Sequence, residues 1–290
     1  DADLVKTNDF KLNLGANITF LKNKILRLPE ENRKNGIISG SKKYMEGHGR
    51  YDYWLYQYVG VDQMTGNALY LPDTVVYNGG DPNVTNKTAI PTQFVVKIGD
   101  KYYSTNPTYG LRNWSGSAIP TAFGGISLKI DWKDFSFSTL FTYSTGAKIL
   151  DYNYQSLMSM AGSSSNLHTD LLKAWNGVPA GMTETSPNRI DSKAVPVVDF
   201  SRDQYTSATS TRFLQDGSYA VLKNIVLGYR LPSALLRKVG VANCGLNFTA
   251  ENLVTFTKLQ GMDPQQSFDG TNYNYFMTPR VFSFGINIGL

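Results

Sequence analysis

The strongest constraint on the fold is a strict alternation of apolar and polar residues. From Phe10 to Phe20, every even-numbered position is apolar and every odd-numbered position is polar or glycine. Successive side chains of a β-strand point to opposite faces, so this pattern predicts a strand with one apolar and one polar face. The same alternation recurs in residues 126–132, 135–143 and 282–290. Only Thr139 and Leu140 interrupt it there.

Three further strands are less regular. They are predicted near residues 51–60, 212–229 and 243–256, and they bring the expected number of strands to seven. Within the second of these, Lys223 falls on one face and Asn224 on the other, so neither parity is cleanly apolar. A β-bulge would explain this pattern, and the faces of residues 219–229 stay unassigned.

Strand length and composition narrow the class of protein. Strands of soluble proteins usually have about 5 to 6 residues, whereas a tilted membrane-spanning strand needs about 9 to 11, and the alternating segments match the longer figure. The content of 18 Tyr and 26 Gly favours strands and turns over helices. No uninterrupted apolar run exceeds four residues, while a spanning helix needs about 20. A helical membrane protein is therefore excluded.

Charge and cysteine content exclude other classes. The net charge is +5 and the Lys and Arg residues are scattered, so no nucleic-acid footprint is visible. The single cysteine, Cys244, excludes an internal disulfide framework and a cysteine-based zinc site.

The predicted links between strands alternate between short and long. Short links fall near residues 132–135 and 230–242, and the link at 28–50 is intermediate. The long links are residues 57–120, 146–211 and 257–280. In an up-and-down barrel, this order places every long loop on one rim, as in outer-membrane barrels. We therefore predict an all-β fold, the C-terminal part of a large antiparallel transmembrane β-barrel. Bacterial barrels have even numbers of strands, from about eight upward, so missing strands are expected before Asp1.

A series of short motifs in the second half of the chain carries a family resemblance. The motifs are Arg212-Phe213, Asp216-Gly217-Ser218-Tyr219, Leu222-Lys223-Asn224, Leu227-Gly228-Tyr229, Leu231-Pro232, Asn252-Leu253, Thr255-Phe256-Thr257-Lys258, Gly261, Asp263-Pro264, Pro279-Arg280 and Phe284-Gly285, with Gly60-Val61-Asp62, Thr65-Gly66 and Gly124-Gly125 upstream. Their residues and order resemble the late barrel of the SusC/RagA family of TonB-dependent outer-membrane transporters. Met262 and Leu290 depart from the residues common in that family.

The resemblance implies a barrel of about 22 strands, an N-terminal plug and a SusD-like surface lipoprotein that closes as a lid. Such transporters import oligosaccharides or peptides across the outer membrane of Gram-negative bacteria, with energy supplied through the TonB complex. Residues 1–290 would then form the C-terminal segment of the barrel domain, without the plug and the TonB-contacting region. The family is not enzymatic, and no cofactor is expected.

The last strand also resembles a barrel-assembly signal. This signal comprises Ser283, Gly285, Ile288 and Leu290. Its edge would pair with the barrel-assembly machinery before the barrel closes.

Candidate substrate-binding residues are aromatic side chains in the long loops, because flat rings stack on sugars and peptides. They are Tyr109, Trp114, Trp175, Tyr273 and Tyr275. The alternative for each of them is packing within the loops or a place in the interfacial girdle. Trp132 and Tyr143 lie near strand ends, where a girdle is expected. Lys11, Lys129 and Asp131 are expected to face the lumen.

Catalytic and metal sites are not expected. His48 and His168 lack neighbouring ligands at metal spacing, which favours structural or solvated roles. Ser163-Ser164-Ser165 lies near His168, but the sequence contains no Gly-x-Ser-x-Gly elbow.

Two alternatives to the importer remain open. The first is an outer-membrane barrel that works as a passive porin or as an enzyme, which would lack a plug. The second is a soluble carbohydrate-binding sandwich, in which a second sheet would cover the apolar faces.

Overall fold

The computed structural model describes residues 1–73, 90–160, 166–266, 268–272 and 276–289, and every strand pair in its sheets is antiparallel. The strands are β1 (Ala2–Lys6), β2 (Phe10–Phe20), β3 (Ile37–Ser39), β4 (Lys42–Tyr44), β5 (Asp52–Tyr56), β6 (Tyr58–Asp62), β7 (Ala68–Tyr70), β8 (Val95–Ile98), β9 (Lys101–Ser104), β10 (Arg112–Ser117), β11 (Ala122–Trp132), β12 (Phe135–Thr145), β13 (Lys148–Leu150), β14 (Ile190–Asp191), β15 (Leu214–Asp216), β16 (Tyr219–Arg230), β17 (Asn243–Thr257) and β18 (Val281–Gly289).

The helices are short. The α-helices are α1 (Tyr152–Leu157), α2 (Asp203–Thr206) and α3 (Ser233–Leu236). The 3-10 turns are Glu30–Asn32, Thr92–Phe94, Pro107–Tyr109, Thr169–Lys173, Phe200–Arg202, Thr211–Phe213, Arg237–Val239 and Pro264–Gln266. Within the described part of the chain, none of the helices has the length and apolar character needed to cross a membrane.

Seven strands form one large sheet, which we call the wall sheet. Its order is β1-β2-β11-β12-β16-β17-β18. The register from β2 through β11 to β12 is unbroken along all three strands, so that Trp132 pairs with Phe10 on one side and Phe135 on the other. Residues of one face therefore stay aligned across the sheet. Because alternate residues of each strand point to opposite sides, the sheet has one apolar face and one polar face.

Connections of the wall sheet alternate strictly between short and long. The short ones are residues 7–9, 133–134 and 231–242. The long ones are long loop 1 (residues 21–121), long loop 2 (residues 146–218) and long loop 3 (residues 258–280). All three long loops leave from the same end of the sheet, as predicted, and α3 lies in the last short connection.

One of the seven predicted strands was placed wrongly. Residues 51–60 are not part of the wall, because β5 and β6 lie in small sheets within long loop 1. Instead of facing lipid, Tyr53 and Leu55 of β5 are buried in the core of the loops. The seventh wall strand is β1, which was missed because its five residues are too few for a periodic pattern to be visible.

A β-bulge in β16 explains the mixed parity around Lys223. The register against both neighbours shifts between Leu222 and Asn224. Lys223 is the extra residue relative to β12, whereas two residues of β17, Asn252 and Leu253, lie opposite it on the other side. The Lys223 Nζ donates to Asn252 Oδ1 at 3.3 Å, and Asn252 has a left-handed φ of 53° on the adjacent strand. Leu222 and Leu227 consequently face the same side although their numbers differ in parity.

The interruption at Thr139 has a related cause. The strand β12 continues without a break against β11, so Thr139 occupies a position on the apolar face. Its hydroxyl donates to the backbone carbonyl of Asn224 at 2.8 Å, beside the bulge. Thr139 therefore satisfies a backbone group at the irregular point of the ladder, and Leu140 points to the opposite face.

The apolar face of the wall sheet is exposed rather than packed. Phe284 is 84% exposed and Ile286 is 66% exposed. Other exposed members of this face are Ile18, Phe20, Ile126, Trp132, Phe135, Leu227, Leu246, Val254, Phe256, Phe282 and Ile288. A soluble sandwich would have covered these side chains with a second sheet. The sandwich alternative is therefore wrong.

The buried core lies instead in the long loops. Its central cluster consists of Tyr53, Leu55, Ala118, Leu150, Met158 and Phe213, which come from long loops 1 and 2. The sheets β10-β5-β4-β3 and β14-β6-β7-β9-β8 and the pair β13-β15 surround it. We call this assembly the loop body. Long loop 3 joins it through Gly270, whose backbone oxygen accepts a hydrogen bond from the Tyr53 hydroxyl.

A buried ion pair fastens long loop 2 to long loop 1. Arg189 Nε and Nη2 donate to the two oxygens of Asp62 at 2.8 and 3.0 Å, and Asp62 is fully buried. Burial alone would raise the pKa of the Asp62 carboxyl. Hydrogen bonds from Arg189, the Met64 amide and the Thr65 hydroxyl more than offset that effect, so its pKa lies below the usual range.

We expect the Asp62→Asn substitution to destabilise the loop body by about 3–5 kcal/mol at neutral pH, because it leaves the buried Arg189 without its counter-charge. A lowered pKa means that the ion pair stabilises the fold above the unfolded pKa and that this stabilisation is lost as pH falls through the folded value. The wild type and the variant should therefore converge in urea-unfolding midpoint below about pH 4. Asp199→Asn, at the partly exposed pair with Arg202, is the control. Equal effects at Asp62 and Asp199 would contradict this assignment.

Gly124 lies where two wall strands approach each other closely. A Cβ at this position would overlap the backbone oxygen of Asn17, which also accepts a hydrogen bond from the Tyr143 hydroxyl at 3.2 Å. We expect Gly124→Ala to destabilise the wall by about 1–3 kcal/mol, because the strands would have to separate. Gly245→Ala on β17 is a matched control, since a Cβ there meets no atom within 4 Å. Unfolding midpoints of both variants in lipid vesicles test the difference, and equal midpoints would contradict it.

Candidate functional site

The exposed face of the wall carries a row of aromatic rings near the short connections. We call Phe10, Trp132, Phe135 and Tyr229 the aromatic row, because they are register partners on four adjacent strands. The ring centroids of Trp132 and Phe135 are 6.3 Å apart, and those of Phe135 and Tyr229 are 4.4 Å apart. Such rows are typical of the girdle at a membrane interface. Tyr143 lies at the opposite end of β12, near the long loops.

The opposite face of the wall is polar. Lys129 Nζ lies 3.6 Å from an Asp131 oxygen, and Lys11 is the register partner of Asp131 on β2. Asn13 Nδ2 donates to Asp3 Oδ1 at 3.0 Å. The three predicted lumen-facing residues therefore share one face and lie next to each other, where opposite charges partly compensate.

Trp114 is part of an aromatic and cationic surface on the sheet β10-β5-β4-β3. Its ring stacks on His48 with centroids 3.6 Å apart and meets Trp54 edge-on at 5.0 Å. Lys43 Nζ lies 4.3 Å from the Trp54 centroid, and Arg112 Cζ lies 4.3 Å from the Tyr56 centroid. One face of the Trp114 indole is thus already covered by a ring of the protein itself.

The other predicted platforms lie apart from Trp114. Trp175 packs against Gly66 and donates through Nε1 to the backbone oxygen of Gln63 at 2.9 Å, so it joins long loop 2 to long loop 1. Tyr109 ends a 3-10 turn, and its ring lies 5.9 Å from Phe94. The structure does not bring these three rings into one site. Tyr273 and Tyr275 lie outside the described residues.

Both histidines make contacts within the loop body. His48 stacks on Trp114, and its Nδ1 lies 3.7 Å from Asp52. His168 Nδ1 accepts the backbone N–H of Asp170 at 3.1 Å, at the start of a 3-10 turn. In the described part of the chain, no group of three or more His, Cys, Asp or Glu side chains is arranged to hold a metal ion. Ser163, Ser164 and Ser165 lie outside that part.

The predicted assembly signal forms an edge of the wall sheet. Ser283 and Gly285 face the polar side of β18, and Ile288 faces the apolar side, where it is 61% exposed. Leu290 lies outside the described residues. Strand β18 is the last strand in the order of the wall sheet, and the assembly role of these residues stays a prediction.

A polar cavity of about 390 Å³ between long loops 2 and 3 was not found from the sequence. Its lining includes Asp151, Asn153, Gln215, Gln260 and Asn272. These residues come from distant segments, and no periodic pattern joins them. The only local signal is Asp151 immediately before α1, where its side chain accepts the Tyr154 amide as a helix N-cap.

Comparison with known proteins supports the family resemblance. No known family profile matches the chain. TonB-dependent receptor P3 of Formosa agariphila is 25% identical across 98% of the chain, and receptor P39 of the same organism is 25% identical across 90%. The chain spans only 27% and 26% of the lengths of these two relatives.

Solved structures agree on the fold. The RagAB peptide transporter matches 99% of the chain with a TM-score of 0.69 at 22% sequence identity. The RagAB peptide importer in its open-open state matches with a TM-score of 0.72 at 20% identity. The chain covers 28% and 27% of those two chains.

The fold shows the structural class of the chain: it is an all-β portion of a barrel wall with long loops on one rim, as predicted. The resemblance to SusC/RagA-like TonB-dependent transporters, predicted from the motifs, is then confirmed by both comparisons.

Two matched substitutions on β18 test which face meets hydrocarbon. Phe284→Arg should cost about 2–4 kcal/mol near the bilayer midplane, because it places a charge in lipid. Asn287→Lys should cost little, because Asn287 is exposed on the polar face of the same strand. Urea unfolding of the full-length protein in phospholipid vesicles measures both. Equal tolerance of the two substitutions would show that the faces are wrongly assigned.

Proposed function

We propose that this chain forms barrel wall and outer loops of a TonB-dependent outer-membrane importer of oligosaccharides or peptides. The observation that carries the proposal is the division of the wall sheet into an exposed apolar face and a polar face. Large side chains such as Phe284 and Phe256 have no favourable environment in water but a good one in a bilayer. The protein would accordingly reside in the outer membrane of a Gram-negative bacterium, in contact with its lipid.

The length of the wall strands supports a membrane-spanning role. A strand tilted in a bilayer needs about 9 to 11 residues. Six wall strands have lengths in this range or above it: β2, β11 and β12 contain 11 residues each, β16 contains 12, β17 contains 15 and β18 contains 9. Residues 1–290 would form the C-terminal segment of the barrel domain. The plug and the TonB-contacting region would lie elsewhere in the protein.

A SusD-like surface lipoprotein is the partner that we propose for the loop body. The similar RagAB structures include an open-open and a closed-closed state, so those assemblies change between open and closed forms. A lid that closes over the long loops would need a firm surface to meet. The buried cluster around Tyr53 and the Asp62–Arg189 pair give the loop body such a surface.

The loop aromatics remain proposed substrate contacts. Trp114 is the stronger case, because its surface also carries Lys43 and Arg112, neither of which forms an ion pair with a described carboxylate. Trp175 is tied to Gln63 and contributes to the structure of the loop body itself. Tyr109, Tyr273 and Tyr275 are further candidates.

The barrel-assembly machinery and the TonB complex are the remaining proposed partners. The proposed signal for the machinery comprises Ser283, Gly285 and Ile288 of β18 together with Leu290, which lies outside the described residues. Energy from TonB would enter through the part of the protein that lies outside this chain. We propose no catalytic activity, cofactor or metal.

Uptake measurements in cells test the proposal. A strain that depends on the full-length protein should lose import of its substrate when the tonB gene is deleted, while the protein still fractionates with the outer membrane. Phe284→Arg should lower its amount in that fraction, and Asn287→Lys is the control. Import that continues without TonB would favour a passive porin. A protein that stays soluble without detergent would refute the membrane location altogether.

A further inference from the structure

We propose that the polar cavity between long loops 2 and 3 is a binding subsite for a neutral oligosaccharide. This inference rests on the proposed import function and names the ligand class for one site. The cavity of about 390 Å³ lies where Asp151 begins α1, Gln215 lies in β15, and residues 258–261 follow β17. Its walls therefore come from both loops at the point where they leave the wall sheet.

A buried carboxylate with one unused oxygen lines the cavity. Asp151 is only 7% exposed, and its Oδ1 accepts hydrogen bonds from the Tyr154 amide at 2.9 Å and from Asn272 Nδ2 at 2.6 Å. Its Oδ2 accepts none from the residues that the structure describes. The two donors to Oδ1 hold the Asp151 side chain in place, and Oδ2 remains available as an acceptor for a ligand hydroxyl.

Three side-chain amides add complementary groups. Asn153, Gln215 and Gln260 line the cavity, and none of their side chains makes a hydrogen bond to another described residue. A carboxamide offers two donor hydrogens and an acceptor oxygen. Each sugar hydroxyl is likewise both donor and acceptor, so adjacent hydroxyls can bond both ends of one amide. The cavity thus has the mixed donors and acceptors that a polyol requires.

Aromatic rings form another part of the lining. The rings of Tyr154 and His168 meet edge-on with centroids 4.8 Å apart, and the Tyr154 hydroxyl donates to Asp170 at 3.0 Å. Burial, together with that neighbouring carboxylate, raises the pKa of Tyr154 to about 12, so the hydroxyl stays protonated. Fixed rings beside amides and a carboxylate provide an apolar surface for the C–H face of a sugar ring.

Charge in the cavity favours a neutral ligand. Of its charged lining residues, Asp170 is paired with Lys173 at 2.9 Å and Lys258 Nζ lies 3.6 Å from Asp216, whereas Asp151 forms no ion pair with a described residue. A uronic acid or a sulfated sugar would bring its negative charge close to the free oxygen of Asp151 and be repelled. Lys43 and Arg112, which were described above beside Trp54 and Tyr56, are not part of the cavity lining.

Calorimetric titration of the full-length protein in detergent provides the test. The probes are cellohexaose, laminarihexaose, maltohexaose and mannohexaose, with hexagalacturonate and hexaalanine for comparison. We expect at least one neutral hexasaccharide to bind. Asn153→Ala and Gln215→Ala should each weaken that binding about threefold to tenfold, because each removes a hydrogen-bonding amide. Gln204→Ala, an exposed amide on α2 outside the cavity, should bind like the wild type.

Several results would overturn the proposal. It fails if no neutral hexasaccharide binds, if the Asn153→Ala/Gln215→Ala double variant binds as tightly as wild type, or if hexagalacturonate or hexaalanine is preferred and loses affinity in the double variant. Gln215→Glu keeps the side-chain size and serves if an alanine variant does not fold. The introduced carboxylate would have no N–H donor for a sugar hydroxyl, so Gln215→Glu should also weaken binding. If the Asn153→Ala/Gln215→Ala double variant keeps both TonB-dependent uptake and wild-type binding, the subsite is refuted while the proposed import function stands.

Discussion

The pairing of every backbone N–H and C=O group is the constraint on which the wall depends. In hydrocarbon these groups have no water to bond, so only a fully paired ladder of long strands is stable. The unbroken register of β2, β11 and β12 provides such a ladder. Side chains then follow with a period of two, which places residues such as Phe284 and Asn287 on opposite faces. At the bulge around Lys223, side chains supply extra hydrogen bonds: Thr139 donates to the Asn224 carbonyl, and Lys223 donates to Asn252.

The loop body follows a different rule. It is held by a buried cluster, an internal ion pair and side-chain bonds to backbone carbonyls, as in a soluble domain. Lys42, for example, is buried beside Tyr51 and Tyr53 and donates to the backbone oxygen of Asp269, which joins long loop 1 to long loop 3. Burial lowers the pKa of Lys42, while the nearby Asp269 charge partly opposes that shift. The wall and the loop body therefore place their apolar residues in opposite ways, outward in one and inward in the other.

This difference explains what the sequence could predict. Six wall strands were predicted from the sequence, and the alternation also predicted both faces of β2, β11, β12 and β18, because the two sides of these strands meet different surroundings. The faces of β16 could not be assigned from its sequence. The bulge was also predictable, because the adjacent polar residues Lys223 and Asn224 interrupt the alternation of β16. Strand β5 contains a continuous apolar run from Tyr53 to Tyr56, and the sequence alone does not tell whether Tyr53 meets lipid or a protein core. Strand β1 is too short to show a period. The cavity around Asp151 was unpredictable, because its lining residues meet only through the packing of two loops.

The separate core of the loop body has an evolutionary consequence. Since Tyr53, Leu55 and Phe213 form a core within the long loops, residues that line the clefts of the loop body can vary without a change in the wall strands. Gln215 and Asn153 can thus be exchanged at little structural cost. The ligand specificity of the proposed subsite could therefore change during evolution through substitution of a few amide side chains, while the transmembrane wall stays the same.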